Sequence, residues 1–239
     1  MNKLSIAVGI ALILSVSSLW AQTEEFYFSF EIDSPKEITR LTRLISIDNV
    51  EDNVVYAYAN DLQLKEFDKL GYAYRLLPHP GTLIVPEMAT TKDALKEWDS
   101  YPTYDAYVSM MYQFASDYPN LCVIVNAGQS EENRDILFAR ISDNVSVEED
   151  EPEVMYTATM HGDETTGYVL MLRLIDSLLT AYGSDPFITR LVDSCEIWIN
   201  PLANPDGTYH GGNHTVNGAI RYNSNYVDLN RNFPRPRNR

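Results

Sequence analysis

Between Tyr104 and Asn200 the hydrophobic rhythm of the chain switches repeatedly from a helical to an extended period, which restricts this region to layered α/β architectures. Tyr104, Tyr107, Val108, Met111, Phe114, Ala115 and Tyr118 share one helical face, with Thr103 placed to cap it. "LCVIVNAG" and "ILFARIS" follow as strands, parted by the polar turn "QSEENRD". After the acidic run 148–151, which reads as a solvated loop, "EVMYTATM" reads as a buried strand. Residues from Thr165 to Tyr182 are apolar on most sides and stop at Gly183, the pattern of a helix buried against a sheet. "CEIWIN" is a further buried strand. The alternation predicts a parallel or mixed sheet, and in such sheets ligands bind beyond the carboxyl ends of strands. His161 falls at one of those ends.

The preceding residues form a separate pattern. "FYFSFEI" places Phe26, Phe28, Phe30 and Ile32 on one face of a strand. Ser34-Pro35-Lys36-Glu37 then supplies a cap, a first-turn proline and a capping-box glutamate. "VVYAYA" is another strand, a short helix carries Leu64, Phe67 and Leu70 up to Gly71, and "YAYRLL" is a last strand. Residues 22–78 are therefore expected to form a small α+β domain without catalytic groups, and the proline-containing stretch 79–100 a linker to a domain over 101–239.

Residues 1–21 carry Lys3, an apolar run from Leu4 to Leu14 and small residues ending at Ala21, which reads as a secretory signal peptide, with an uncleaved anchor as the alternative. The expected location is secreted or periplasmic, with no membrane contact after cleavage. A net charge of −16 excludes nucleic acid as a partner, because a phosphate backbone requires a basic face. Cys122 and Cys195 are compatible with a disulfide in an exported protein or with two buried free thiols.

Three segments carry candidate chemistry. In "HGDE", His161 and Glu164 are three residues apart at a strand-to-helix junction, where both side chains can converge on one metal ion. "NPDG", Asn204 to Gly207, follows the buried strand and specifies a rigid turn at the same sheet edge. In "RYNSNYVDLNRNF", Arg221 and Arg231 stand out in an acidic chain, and an arginine beside an asparagine, as in Asn230-Arg231, can hold a carboxylate through paired hydrogen bonds. Each segment by itself also fits a structural role: a helix-terminal charge, a tight turn, a surface ion pair. His210 and His214 read as surface-loop residues.

In order and separation the three segments resemble the zinc carboxypeptidases of the carboxypeptidase A, B and E type, over about Tyr101 to Pro234. The resemblance implies a mixed-sheet α/β domain preceded by a small propeptide-like α+β domain. It implies that one zinc ion is bound by His161 and Glu164, and that Arg221 polarises the scissile carbonyl and stabilises the oxyanion. Asn230 and Arg231 would hold the free carboxylate of a peptide or protein substrate, confining hydrolysis to its last peptide bond. In that family a third ligand, a histidine, follows "NRNF", and then a tyrosine and a general-base glutamate. No such residues follow Pro234 here, so the third ligand is expected beyond residue 239 and this stretch is expected to be incomplete and inactive by itself, with an unpaired sheet edge. Two rival readings share these residues: a non-catalytic protein that binds carboxylates or peptide termini, and a zinc deacylase or amidase.

Overall fold

The computed structural model describes residues 24–95 and 98–233, so the signal-peptide reading of residues 1–21 lies outside the described residues. No helix among the described residues is long and apolar enough to cross a membrane.

In the small domain, β1 (Glu25–Glu31) buries Phe28 and Phe30, with Ile32 just beyond it, as its alternation dictates. Ser34 and Glu37 complete a capping box over a 3-10 turn that leads into α1 (Ile38–Leu41). β2 (Ser46–Glu51) and β3 (Val54–Asn60) form a hairpin whose turn residues, Asp52 and Asn53, sit at φ 47° and 69°. Two left-handed residues match the twist of the strands they join. α2 (Asp61–Asp68) starts at Asn60, whose side chain accepts from the Leu62 and Gln63 N–H groups, and β4 (Tyr74–Leu77) completes an antiparallel sheet of order β2-β3-β1-β4. Phe28, Phe30, Leu41, Val55 and Phe67 fill the core between sheet and helices. Each buried phenylalanine contributes about 2 kcal/mol. β2 has no clean alternation because its register shifts between Ile47 and Asn49.

Residues 79–100 are partly built into the larger domain. β5 (Met88–Ala89) pairs in parallel with β6 (Tyr101–Pro102), and Ala89 and Leu95 are buried in the larger core. The preceding turn is tied down by the Gly218 N–H, which donates to the Gly81 carbonyl at 2.8 Å.

The larger domain runs through α3 (Tyr104–Asp117), β7 (Cys122–Gln129), β8 (Asp135–Ile141), β9 (Glu153–Thr157), α4 (Thr166–Ala181), α5 (Pro186–Val192), β10 (Glu196–Asn200) and the single-turn α6 (Pro205–Thr208). Its sheet order is β7-β8-β10-β9, with β10 and β9 parallel and the other pairs antiparallel, so the sheet is mixed. Tyr107, Met111 and Phe114 of α3 and Tyr168, Leu172 and Ile175 of α4 pack with Leu137, Ala139, Ile197 and Ile199 of the sheet. β9 departs from the expected buried strand. It is the outermost strand, and among the described residues Val154, Met155 and Tyr156 are 37%, 61% and 49% exposed. Cys122 is a buried free thiol and Cys195 a half-buried one, so they are not paired, and only Cys122 matches the reading of buried thiols.

Candidate active site

The chain leaves β9 and turns sharply before His161. Thr159 adopts φ 56°, a left-handed conformation costing a β-branched residue of order 1–3 kcal/mol. Two bonds hold it there: its carbonyl accepts from the Asn204 N–H at 3.0 Å, and its hydroxyl donates to the Glu164 carbonyl at 3.3 Å. The "NPDG" stretch is a helical turn, not an open loop, and Asn204 caps it by accepting from the Gly207 N–H. The Asn204 amide also donates to the Arg221 and Tyr222 carbonyls, at 3.3 and 3.1 Å.

Gly162 explains how the three segments approach so closely. A Cβ there would lie 2.3 Å from the Gly207 carbonyl carbon and 2.5 Å from the Ile220 carbonyl oxygen, well inside van der Waals contact. With no side chain in the way, the Gly162 N–H donates to the Arg221 carbonyl at 3.1 Å, and the Thr208 hydroxyl to the Gly162 carbonyl at 2.8 Å. Outside this knot, Asp206 accepts from the Ser130 and Ser224 hydroxyls and from the Glu132 N–H, and it pairs with buried Arg134 at 2.8 Å.

The structure brings His161, Glu164 and Arg221 together. The His161 Nδ1 and a Glu164 carboxylate oxygen are 2.8 Å apart, while His161 Nε2 lies 3.2 Å from Asp228. Both carboxylates accept when ionised, so the doubly protonated ring donates to each, while a neutral ring that keeps its proton on Nε2 for Asp228 turns its Nδ1 lone pair toward Glu164. Two acceptors pointed at one another need a cation or proton between them. That donor set fits a metal ion, as one nitrogen and one oxygen ligand of zinc. Among the described residues no group of three or more His, Cys, Asp or Glu side chains is arranged for a metal. His210 and His214 are exposed on their loop.

Asp228 was not singled out from sequence, yet it organises the centre. Besides His161, it accepts from Arg221 Nε at 3.4 Å, from the Asn230 N–H at 2.9 Å and from the Ser46 hydroxyl of the small domain. Burial would raise its pKa, but the bonds from His161 and Ser46 and the Arg221 charge hold its carboxyl well below the usual range. For His161, burial favours the neutral ring, and the bonds to Asp228 and Glu164 outweigh it and raise the pKa. Arg221 is buried, with its guanidinium 3.5 Å from Glu164 and 5.1 Å from the Tyr58 ring. Asn230 and Arg231 sit in a 3-10 turn (Leu229–Arg231) and are exposed, with Arg231 donating to the Asn230 carbonyl.

The small domain lies directly over this centre. The carboxylate of Glu25, almost fully buried, accepts from the backbone N–H groups of Arg221 and Tyr222 at 2.8 and 2.9 Å and lies 2.7 Å from His79. The Tyr222 hydroxyl bonds Ser46 and Gln63, and Asn60 donates to the Tyr226 carbonyl. Burial raises the Asp163 pKa, and the neighbouring Tyr58 hydroxyl opposes that rise.

A buried histidine, a carboxylate and an arginine thus meet at the end of an α/β sheet. The zinc carboxypeptidase family (Peptidase_M14) matches residues 107–238, and the chain belongs to that family. It is 38% identical to mouse carboxypeptidase D over 167 residues, covering 65% of this chain and 12% of the relative. It is 38% identical over 117 residues to a zinc carboxypeptidase of Saccharothrix mutabilis subsp. capreolus, covering 49% and 27%. The crystal structure of carboxypeptidase A from Helicoverpa armigera shares the fold, with TM-score 0.58 and 20% identity over 89% of this chain and 58% of that one. The chain thus spans about an eighth and a quarter of the length of the two sequence relatives and 58% of the solved structure.

Proposed function

We propose that this chain is part of a secreted zinc metallocarboxypeptidase that removes carboxy-terminal residues from peptides or proteins. His161 Nδ1 and Glu164 supply two ligands to one zinc ion, and the third ligand and the general base come from sequence beyond residue 239. Residues 1–239 alone are then inactive, since a catalytic zinc needs three protein ligands. Bound zinc supplies Lewis acidity that polarises a carbonyl and acidifies water. Arg221 stabilises negative charge developing on the scissile carbonyl oxygen, and Asn230 and Arg231 hold the substrate's terminal carboxylate. Asp228 holds the His161 tautomer and orients Arg221.

The observation that carries this reading is the 2.8 Å approach of His161 Nδ1 to Glu164 with Nε2 committed to Asp228. The test is release of the last residue from a peptide by the full-length protein. Loss of release on chelation, recovery with zinc and failure on a carboxy-terminal amide are the expected results. Chelator-insensitive release, or binding of free carboxy termini without turnover, would overturn the reading and favour the carboxylate-binding alternative.

The small domain acts in this reading as a cover, supported by Glu25 and Ser46 bonding the segment that carries Arg221 and Asp228. In the full-length enzyme, Glu25→Ala is expected to raise kcat/KM; an unchanged rate would count against a covering role.

A further inference from the structure

The turn that leads into Arg221 contains the only asparagine in the sequence that is followed by glycine, Asn217-Gly218. A glycine carries no Cβ, so its main-chain nitrogen is unshielded and can reach the carbonyl carbon of the preceding asparagine side chain. Ring closure between those two atoms is the route by which asparagine loses its amide. It requires a free glycine N–H, which gives up its proton and attacks, and a free side-chain amide, which departs as ammonia. Here both groups are held by the linker. The Gly218 N–H donates to the Gly81 carbonyl and the Asn217 side-chain amide donates to the Ile84 carbonyl, each at 2.8 Å.

Close packing sets both bonds. A Cβ on Gly81 would lie 2.0 Å from the Ala219 carbonyl oxygen, so only glycine lets the linker come this near the turn. His79 fixes Gly81 in place: its Nδ1 accepts from the Gly81 N–H at 3.1 Å, and its Nε2 lies 2.7 Å from Glu25 of the small domain. The state of the Gly218 amide is thereby tied, through Gly81 and His79, to the seating of that domain. The turn itself is closed by the Ala219 N–H, which donates to the Val216 carbonyl at 3.2 Å, with Gly218 at φ 80°. Beneath the linker, a cavity of about 240 Å³ bordered by Pro80, Ile84, Val216 and Ala219 has room for water.

We propose that Asn217 is a modification site guarded by the linker: it keeps its amide while the linker is seated and deamidates once the linker is displaced. The Gly218 nitrogen forms a bond to Asn217 Cγ and the Cγ–Nδ2 bond breaks. The proton from the Gly218 nitrogen leaves with the amide as ammonia, and a five-membered imide remains. Water then opens either carbonyl of the ring, giving aspartate or isoaspartate, so that the net change is replacement of an amide by a carboxylate without oxidation or reduction. Both products place a new negative charge four residues before Arg221, and isoaspartate also routes the main chain through the side-chain methylene. A molecule that has lost its linker contacts thus acquires a lasting covalent mark beside the segment that carries Arg221.

The test holds the full-length protein in mildly alkaline buffer and reads aspartate plus isoaspartate at position 217 by peptide mass spectrometry. The parent is expected to convert far more slowly than the same chain unfolded in urea. Gly81→Ala, whose methyl drives the linker off Ala219, and the milder His79→Ala should each convert at least about tenfold faster than the parent, the factor for two hydrogen bonds lost. Asn223-Ser224 is the internal reference, because the Asn223 side chain accepts from the Asn225 and Val227 N–H groups of its own turn, and its rate should not change. Hydrogen exchange at the Gly218 amide reports the seating of the linker and should rise in the same two variants. Asn217→Gln should give no product, because its longer side chain closes a less favoured six-membered ring. A parent that converts as fast as the unfolded chain, a Gly218 amide that exchanges no faster in either variant, or faster exchange without conversion at Asn217 would each overturn the proposal. Equal acceleration at Asn223 would overturn it as well, by showing general loosening in place of release of the linker.

Discussion

Substituting Gly162 by alanine tests the packing argument at its tightest point. The added methyl would lie 2.3 Å and 2.5 Å from the Gly207 carbonyl carbon and Cα and 2.5 Å from the Ile220 carbonyl oxygen. Every one of these is a backbone atom, so no side chain can swing aside. Relief needs more than about 1 Å of backbone displacement to reach ordinary contact. Such a shift pulls on three hydrogen bonds, from Gly162 N–H to Arg221, from Ile220 N–H to Gly207 and from the Thr208 hydroxyl to Gly162. Overpacking costs about 1–3 kcal/mol, and each weakened bond adds about 1 kcal/mol. Taking about 4 kcal/mol in all, a domain of this size should lose roughly 8–16 °C in Tm. Scanning calorimetry of Gly162→Ala against Gly167→Ala is the comparison. Gly167 lies inside α4, its new Cβ would sit 3.2 Å from the Ala158 Cβ, and helix propensity offsets the tightness, so a change within about 1 kcal/mol is expected. A Gly162→Ala protein that melts with the parent would refute the close-approach account.

Other consequences can be measured independently. Arg134→Met strands the buried Asp206 carboxylate and should cost about 3 kcal/mol in urea unfolding; restoring much of it with Asp206→Asn in the same chain would identify the stranded charge as the cause. Because the Asp228 pKa is depressed on folding, its stabilisation is fully present above the unfolded value near about 3.9 and fades as pH falls below it. An acid-unfolding curve should therefore lose part of its steepness below about pH 4 in Asp228→Asn. Burial pushes the Cys122 thiol up to about 12, whereas Cys195 is half-buried, so mass spectrometry after native alkylation should find Cys195 modified first and Cys122 modified only on unfolding.

Local signals in the sequence carried much of this architecture. The capping boxes at Ser34 and Asn60, the stop at Gly183 and the alternation in β1 and β10 each depend on residues a few positions apart, where periodicity and cap chemistry act. α5 had the same kind of signal in Asp185 and Pro186, a cap residue followed by a first-turn proline. The motif pair His161 and Glu164 was legible for the same reason, and Arg221 through the order of the three segments. Glu25 meets Arg221 across 196 positions and Ser46 meets Asp228 across 182, and no sequence period encodes such partnerships. An unpaired sheet edge was expected, but that β9 would carry it was not legible, because an apolar strand has the same composition in the middle of a sheet and at its border.

The grip of Glu25 and Asn60 falls on the main chain, on two N–H groups and a carbonyl, not on the side chains that would handle a substrate. Main-chain atoms do not change when a residue is replaced. These three bonds can therefore outlast side-chain substitution along residues 221–226, whereas the Ser46 bond to Asp228 and the Tyr58 contact with Arg221 disappear with the side chains that make them.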